Sequence, residues 1–306
     1  AGLAFGGYTT VVLGATESYD GASWTSLPTS LTTARRYLGG CGTQAEALAF
    51  AGNTGSITNA TEEYNNWTPA AGYTFENEGQ VWYNNTENVW KVQEATAAGA
   101  WASGGALATA RSRTGGAGTQ TAGLAFGGNV PPVTTATEEY NGTSWSPGGN
   151  MGTARQLMGS CGTQTAALGF GGYMPVFTAA TEEYNGSTWS PGGNMSIARR
   201  TLAGAGTQTA GLGFAGYGPS VNNVATEEYN GSTWTGGGNM ATARFGLGGA
   251  GTQTAGLGFG GYTTTFVVDT EEYDGSTWTA GGNLNTARYH TTGAGLQTAA
   301  LAFGGA

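Results

Sequence analysis

The side chains best equipped for chemistry in this chain are its carboxylates and guanidinium groups, and they fall at regular intervals. Six of the nine arginines occupy one periodic position: Arg35, Arg111, Arg155, Arg199, Arg244 and Arg288. One glutamate recurs two residues before a tyrosine, at Glu17, Glu62, Glu138, Glu182, Glu227 and Glu271. Such groups could act as general acids and bases or grip an anionic substrate. Their repetition argues otherwise, because a catalytic pair is needed once whereas a group present in every copy belongs to a scaffold. Residues two apart in a strand share a face, so each Glu points the same way as the packed Tyr. The expectation is a partly buried structural Glu–Arg pair in each ordinary repeat, made bidentate by the guanidinium fork.

The remaining chemistry is thin. His290 is the single histidine, and the chain has no metal-ligand cluster and no nucleophile set beside a base. The expectation is therefore no enzyme, no cofactor and no metal. Cys41 and Cys161 fall where Ala205 stands in another copy, which points to small-residue packing rather than a disulfide. A net charge of −9 leaves no basic stripe for phosphates, so no nucleic-acid partner is expected. No apolar run approaches a membrane span, so no membrane insertion is expected. Charged residues make up only 9%, which leaves a surface of Thr, Ser, Asn and Gly. Sequons such as Asn141-Gly142-Thr143 coincide with Asn-Gly turns, and turn chemistry accounts for them.

What must position these groups is a repeat. Glu182-Glu183-Tyr184-Asn185-Gly186-Ser187-Thr188-Trp189 returns as Glu227-Glu228-Tyr229-Asn230-Gly231-Ser232-Thr233-Trp234. The recurring Gln falls at 44, 120, 164, 208, 253 and 297, giving intervals of 76, 44, 44, 45 and 44. One interval thus holds 76 − 44 = 32 extra residues. A unit this short cannot bury its own apolar face, so units must stack and share a core. Each parses into four short strands. In one copy these are residues 200–206, 210–216 and 225–229 and a fourth strand from Trp234, with Asn230-Gly231 predicting a type I′ hairpin turn. The 58 glycines keep fixed places in the repeat, unlike a Gly-X-Y period or a disordered tract.

Four-stranded antiparallel units at this period indicate an all-β propeller. Gly171-Gly172, Tyr184, Trp189, Met195 and Arg199 stand in an order that closely resembles the kelch repeat, over nearly the whole chain. The resemblance implies a kelch-like β-propeller occupying residues 1–306 as a single domain. Trp67-Thr68-Pro69 reads as the end of a unit, yet Trp101 followed by Gly104-Gly105 and Ala110-Arg111 ends a unit again. The intervening 68–103 would make a divergent seventh blade beside six kelch-like ones; the alternative is six blades with an inserted hairpin. Leu3-Ala4-Phe5-Gly6-Gly7 repeats as Leu301-Ala302-Phe303-Gly304-Gly305. This predicts a ring closed by pairing N- and C-terminal strands, which removes sheet edges and leaves one strand over. The lack of an initiator Met suggests a processed chain or a portion of a longer protein.

The copies disagree in two places, the loop between the second and third strands and the triplet after the repeated Arg. The kelch resemblance implies that both lie on one face of the disc and converge on one mouth of the central channel, the layout of a recognition surface. The residues nominated for ligand binding are Tyr8, Tyr37, Arg113, Tyr173, Met174, Phe177, Arg200, Tyr217, Phe245, Tyr262, Phe266, Tyr289 and His290. Exposed aromatics there would give rigid contact area.

The Gly/Thr-rich repeats are also similar to those of tail-fibre and other virion-appendage proteins of tailed phages. Residues 79–92, with Trp82-Tyr83-Asn84, resemble a hairpin common in such fibres but depart from it at Gln80 and Val81. This resemblance implies a non-enzymatic protein on a virion surface or otherwise extracellular. Its partners would be a host cell-surface glycan, an outer-membrane protein or other virion proteins. The rival reading is a module that forms a homo-oligomer or filament by terminal-strand augmentation. An intracellular kelch adaptor comes third, since the basic rim some adaptors use is reduced here to Arg36, Arg113 and Arg200.

Overall fold

The computed structural model describes residues 12–65, 81–84, 89–92 and 99–306. The local unit forms as its sequence dictates, with one difference in the turn. Tyr140 pairs with Trp145, and Asn141 Oδ1 accepts the backbone N–H groups of Thr143 and Ser144 at 3.0 and 2.9 Å. Only Gly142 takes a positive φ, of 91°. The expected type I′ turn is thus replaced by a four-residue loop capped by the Asn side chain. The side chain supplies the acceptor that a second left-handed residue would otherwise have had to arrange.

Six four-stranded antiparallel sheets result. Blade 1 comprises Gly39–Gly42, Glu46–Phe50, Thr61–Asn65 and Ala100–Gly104. Blade 2 comprises Gly115–Gly118, Gly123–Phe126, Thr137–Tyr140 and Trp145–Pro147. Blade 3 comprises Gly159–Thr163, Ala166–Phe170, Thr181–Tyr184 and Trp189–Pro191. Blade 4 comprises Ala203–Gly206, Gly211–Phe214, Thr226–Tyr229 and Trp234–Gly236. Blade 5 comprises Gly248–Thr252, Ala255–Phe259, Thr270–Tyr273 and Trp278–Ala280. Blade 6 takes its two inner strands, Thr292–Leu296 and Ala299–Phe303, from one end of the chain and its outer pair, Thr16–Tyr19 and Trp24–Ser26, from the other. The innermost strand of each blade touches those of both neighbours around a closed cycle. The contact is tight: a Cβ on Gly204 would lie 2.5 Å from the carbonyl oxygen of Ser160, while at the equivalent position Ser160 uses its hydroxyl to bond the backbone of Gly116.

The seventh blade is not formed. Tyr64 pairs with Trp101, so Ala100–Gly104 is the fourth strand of blade 1. A two-stranded hairpin, Val81–Asn84 with Val89–Val92, falls within the connection between the third and fourth strands. Trp101 takes this place because it makes the contacts that every fourth-strand Trp makes with the preceding blade. Its Nε1 donates to Thr16 Oγ1 at 2.9 Å, and its ring meets Phe303 at 5.0 Å. Trp145 repeats this with Thr61 and Phe50, and Trp189 with Thr137 and Phe126. Trp67 lies outside the described residues.

Two further hydrogen bonds tie each blade to the one before it. In five blades the Tyr hydroxyl donates to the second Glu of the preceding Thr-Glu-Glu-Tyr strand, as Tyr184 does to Glu139 at 2.6 Å and Tyr273 to Glu228 at 2.6 Å. At the sixth junction Ser18 stands where that Glu would be, and Leu27 packs into the cluster holding Tyr64 and Trp101. On the turn between the two inner strands, each Gln reaches back to backbone carbonyls of the preceding blade. Gln208 Nε2 donates to Ala167 and Tyr184 at 3.0 and 2.7 Å, and Gln44 closes the ring on Tyr19 at 2.6 Å.

Candidate functional site

The periodic charges are accounted for first. All six repeated arginines are fully buried, and each lies beside the Glu of its own blade. The separations are 3.0 Å for Arg35–Glu62, 2.5 Å for Arg111–Glu138, 3.2 Å for Arg155–Glu182, 3.1 Å for Arg199–Glu227 and 3.2 Å for Arg244–Glu271. Arg288 pairs likewise with Glu17. The bidentate geometry is not adopted, because the two forks serve different ends. Arg111 gives Nη2 to Glu138 and Nη1 to the carbonyls of Gly127 and Ala136. Glu138 Oε2 accepts the backbone N–H of Ala108, in the segment arriving from blade 1. Each pair therefore staples the second strand, its loop and the incoming connection. Burial draws the guanidinium groups down from their ordinary pKa, that of Arg199 to about 10, while the neighbouring carboxylate opposes the fall. They remain cations at neutral pH.

The connection that ends in the repeated Arg leads to the channel mouth. The residue after that Arg bridges to the first residue of the loop between the second and third strands: Gln156 to Tyr173, Arg200 to Tyr217, Phe245 to Tyr262. The same bridge joins Arg36 to Asn53 and Ser112 to Asn129, so in five blades the two variable sets are adjacent. The Gly-Gly that precedes the loop makes the turn. Its first position accepts Ala, as at Ala51 and Ala215 with φ near 60°. Its second takes φ of 100–109° at 52, 128, 172, 216, 261 and 305, a region only glycine occupies readily.

One residue further on, the chain forms an annulus that the sequence does not announce. Tyr37, Arg113, Leu157, Thr201, Gly246 and His290 all adopt left-handed φ between 51° and 65°. Five of the six donate their backbone N–H to the carbonyl of the predecessor around the axis: Arg113 to Tyr37 at 2.8 Å, Leu157 to Arg113 at 3.1 Å, Thr201 to Leu157 at 2.7 Å, Gly246 to Thr201 at 2.9 Å and His290 to Gly246 at 2.7 Å. At the sixth junction the rings of Tyr37 and His290 meet instead, at 4.0 Å. Such backbone is uncommon outside glycine, and rare for a β-branched residue such as Thr201. Gly246 is the one member whose residue type hints at it. The annulus encloses a cavity of about 90 Å³, and a second of about 150 Å³ lies against the inner-strand glycines.

The nominated aromatics form an arc over this annulus and are half-buried against one another rather than freely exposed. Tyr173 meets Phe177 at 5.8 Å, and Phe177 meets Tyr217 at 6.0 Å. Tyr217 meets Phe245 at 5.4 Å, which meets Tyr262 at 5.4 Å. Phe266 stacks on Tyr289 at 5.3 Å, and Tyr289 meets His290 at 3.6 Å. Met174 lies in the small hairpin with Phe177, opposite Val176, which is 63% exposed. Tyr8 lies outside the described residues. Arg200 sits in a cage of Tyr173, Phe177 and Tyr217 at 5.0–5.6 Å, while Arg36 and Arg113 lie over Tyr37 at 5.4 and 4.7 Å. His290 keeps some surface, yet burial of its ring, with Arg113, Arg36 and Arg200 nearby, holds its pKa well below the ordinary value. Among the described residues no group of three His, Cys, Asp or Glu could hold a metal.

Blades, closure and mouth together define a six-bladed β-propeller. Among solved structures, the chain is similar to the propeller YjhT: a TM-score of 0.66 at 12% identity, covering 89% of this chain and 90% of that one. No family model matches the sequence, and no curated protein matches it.

Proposed function

We propose that the protein is a non-enzymatic, kelch-type recognition module whose channel mouth binds a ligand on a cell surface, in the manner of a tail-fibre or virion-appendage domain. The carrying observation is the division of labour between positions. The repeated polar side chains are engaged inside the scaffold: Arg on Glu, Tyr on Glu at five junctions, Trp on Thr, Gln on carbonyls. What differs between copies gathers at one mouth as an aromatic arc backed by a hydrogen-bonded annulus. Rigid aromatic contact area on a fixed frame suits binding. The partner is a host glycan or outer-membrane protein, and the location a virion surface or otherwise extracellular. Adsorption of labelled protein to intact cells and to a glycan array tests this. Tyr173→Ala/Phe177→Ala should abolish binding with an unchanged melting temperature; undiminished binding by that variant sinks the reading.

A second reading, assembly by strand exchange, is favoured by one sequence fact. Phe5 precedes Thr16 by eleven residues, as Phe126 precedes Thr137, and residues 3–7 repeat 301–305. Residues 3–7 lie outside the described residues. Fibres or a ladder of oligomers in sedimentation would support it.

A further inference from the structure

We propose that the mouth takes a carboxylate-bearing saccharide, with the carboxylate held by Arg36 and Arg113 beside Tyr37 and the sugar lying on the neighbouring aromatic arc. The proposal rests on the mouth being a recognition surface and adds the chemistry of what is recognised.

The protein's charges are distributed very unevenly. Net charge is −9, and six of its arginines are neutralised one-to-one by glutamates in the blades. Among the described residues the other three, Arg36, Arg113 and Arg200, have no carboxylate within 4.0 Å, and all three lie close enough to His290 to act on its titration. They approach the mouth from three different blades, so only the closed ring brings them together. Three like charges gathered at one partly buried rim repel one another, and nothing in the fold requires them there. An incoming anion removes that repulsion. Within an otherwise acidic molecule, a cationic mouth also focuses the local potential on ligands of the opposite sign.

The three are not equivalent. Arg200 is enclosed by three rings, which leaves it as a cation held in place by aromatic faces. Arg36 and Arg113 share the single ring of Tyr37, and Arg113 Nη1 is oriented by Gln156 Oε1 at 3.2 Å. Two guanidinium groups over one ring offer a planar, multidentate seat of the kind carboxylates fit. Behind them, Thr114 Oγ1 is buried without a hydrogen-bond partner and borders both cavities, ready for a ligand oxygen. Along the mouth, half-buried Tyr217, Phe245 and Tyr262 supply the aromatic surface against which the C–H face of a saccharide ring packs. An acidic peptide would satisfy the arginines but makes less use of the arc.

The test is an array of uronate- and nonulosonate-containing glycans, each beside its carboxyl-reduced counterpart, with oligoglutamate as a peptide probe. The expected result is binding to at least one acidic glycan, at least tenfold weaker to its reduced form, and weakening with salt. Arg36→Gln and Arg113→Gln should each lower affinity at least fivefold and flatten the salt dependence without changing the melting temperature, whereas Arg36→Lys retains part of the affinity. Equal binding of the reduced glycans overturns the anion inference while leaving the recognition reading standing. Tighter binding of oligoglutamate overturns the saccharide assignment. Binding of nothing on the array, with Tyr173/Phe177-dependent adsorption to cells intact, overturns this proposal alone; loss of both removes the recognition reading as well.

Discussion

The indole Nε1 of Trp101 donates to Oγ1 of Thr16 at 2.9 Å across 85 residues of chain. This one bond locks blade 1 onto blade 6, whose outer and inner strands come from opposite ends of the chain. It is the same bond that Trp278 makes to Thr226 within the run of ordinary blades. Closure thus uses no special device, only the ordinary inter-blade contact at a seam.

Trp101→Ala removes that bond and the ring contacts with Tyr64 and Phe303. A loss of about 3–5 kcal/mol is expected, typical of a buried aromatic truncated to Ala. Urea unfolding followed by circular dichroism measures it. A cost near zero would mean that the seam does not depend on this residue.

The long connection between Tyr64 and Trp101 is expected to be dispensable for folding of blade 1, because the other five blades join the same two positions with four residues. Replacing residues 65–100 by Asn-Gly-Ser-Thr, the loop that joins Tyr184 to Trp189, should give a folded propeller within about 1 kcal/mol of the parent, since surface loop length changes stability only slowly. Loss of cooperative melting in that variant would show the segment to be part of the fold.

Arg111→Met strands the buried carboxylate of Glu138 and two backbone carbonyls, and should cost roughly 3–5 kcal/mol. Adding Glu138→Leu removes the stranded charge, so the double variant should be less damaged than the sum of the two singles. A double-mutant cycle reads the coupling, and strict additivity would argue that the pair is not a unit.

Alkali should unfold the ring. Burial, followed by the hydrogen bond to a Glu, raises the pKa of Tyr19, Tyr140, Tyr184, Tyr229 and Tyr273 from 10.0 to about 12. A raised pKa means that the folded state favours the neutral phenol. Its contribution is complete below pH 10 and is lost as pH rises towards 12. Ionisation of these five tyrosines, followed one by one by NMR of ring-labelled protein, should therefore coincide with loss of the circular dichroism signal in that window. Ionisation of any of the five at pH 10 in a fully folded protein would contradict the Tyr–Glu links.

The buried ion pairs beneath the mouth were legible in the sequence, for physical reasons that particular residues show. Glu182 and Arg199 recur because one buried charge obliges another, so their periodicity carries the pairing. The expected bidentate geometry was not borne out, because carbonyls such as that of Gly127 compete for the guanidinium, and that competition is set by the fold. The Gln at 208 looks like turn decoration, because its acceptors, the carbonyls of Ala167 and Tyr184, belong to another blade. The left-handed annulus was silent for the same reason: its hydrogen bonds run between blades, and only Gly246 betrays the backbone.

The sequence by itself determined the repeat, the four strands of each unit and the Glu–Arg pairing, since these follow from local periodicity and from the cost of an unpaired buried charge. The number of blades was decided only in three dimensions. Trp67 and Trp101 have equal local claims to end a strand, and Trp101 takes that place in the ring against Thr16 and Phe303. The gathering of Arg36, Arg113 and Arg200 at one mouth likewise exists only after closure, because convergence around an axis is a property of the ring and not of any repeat within it.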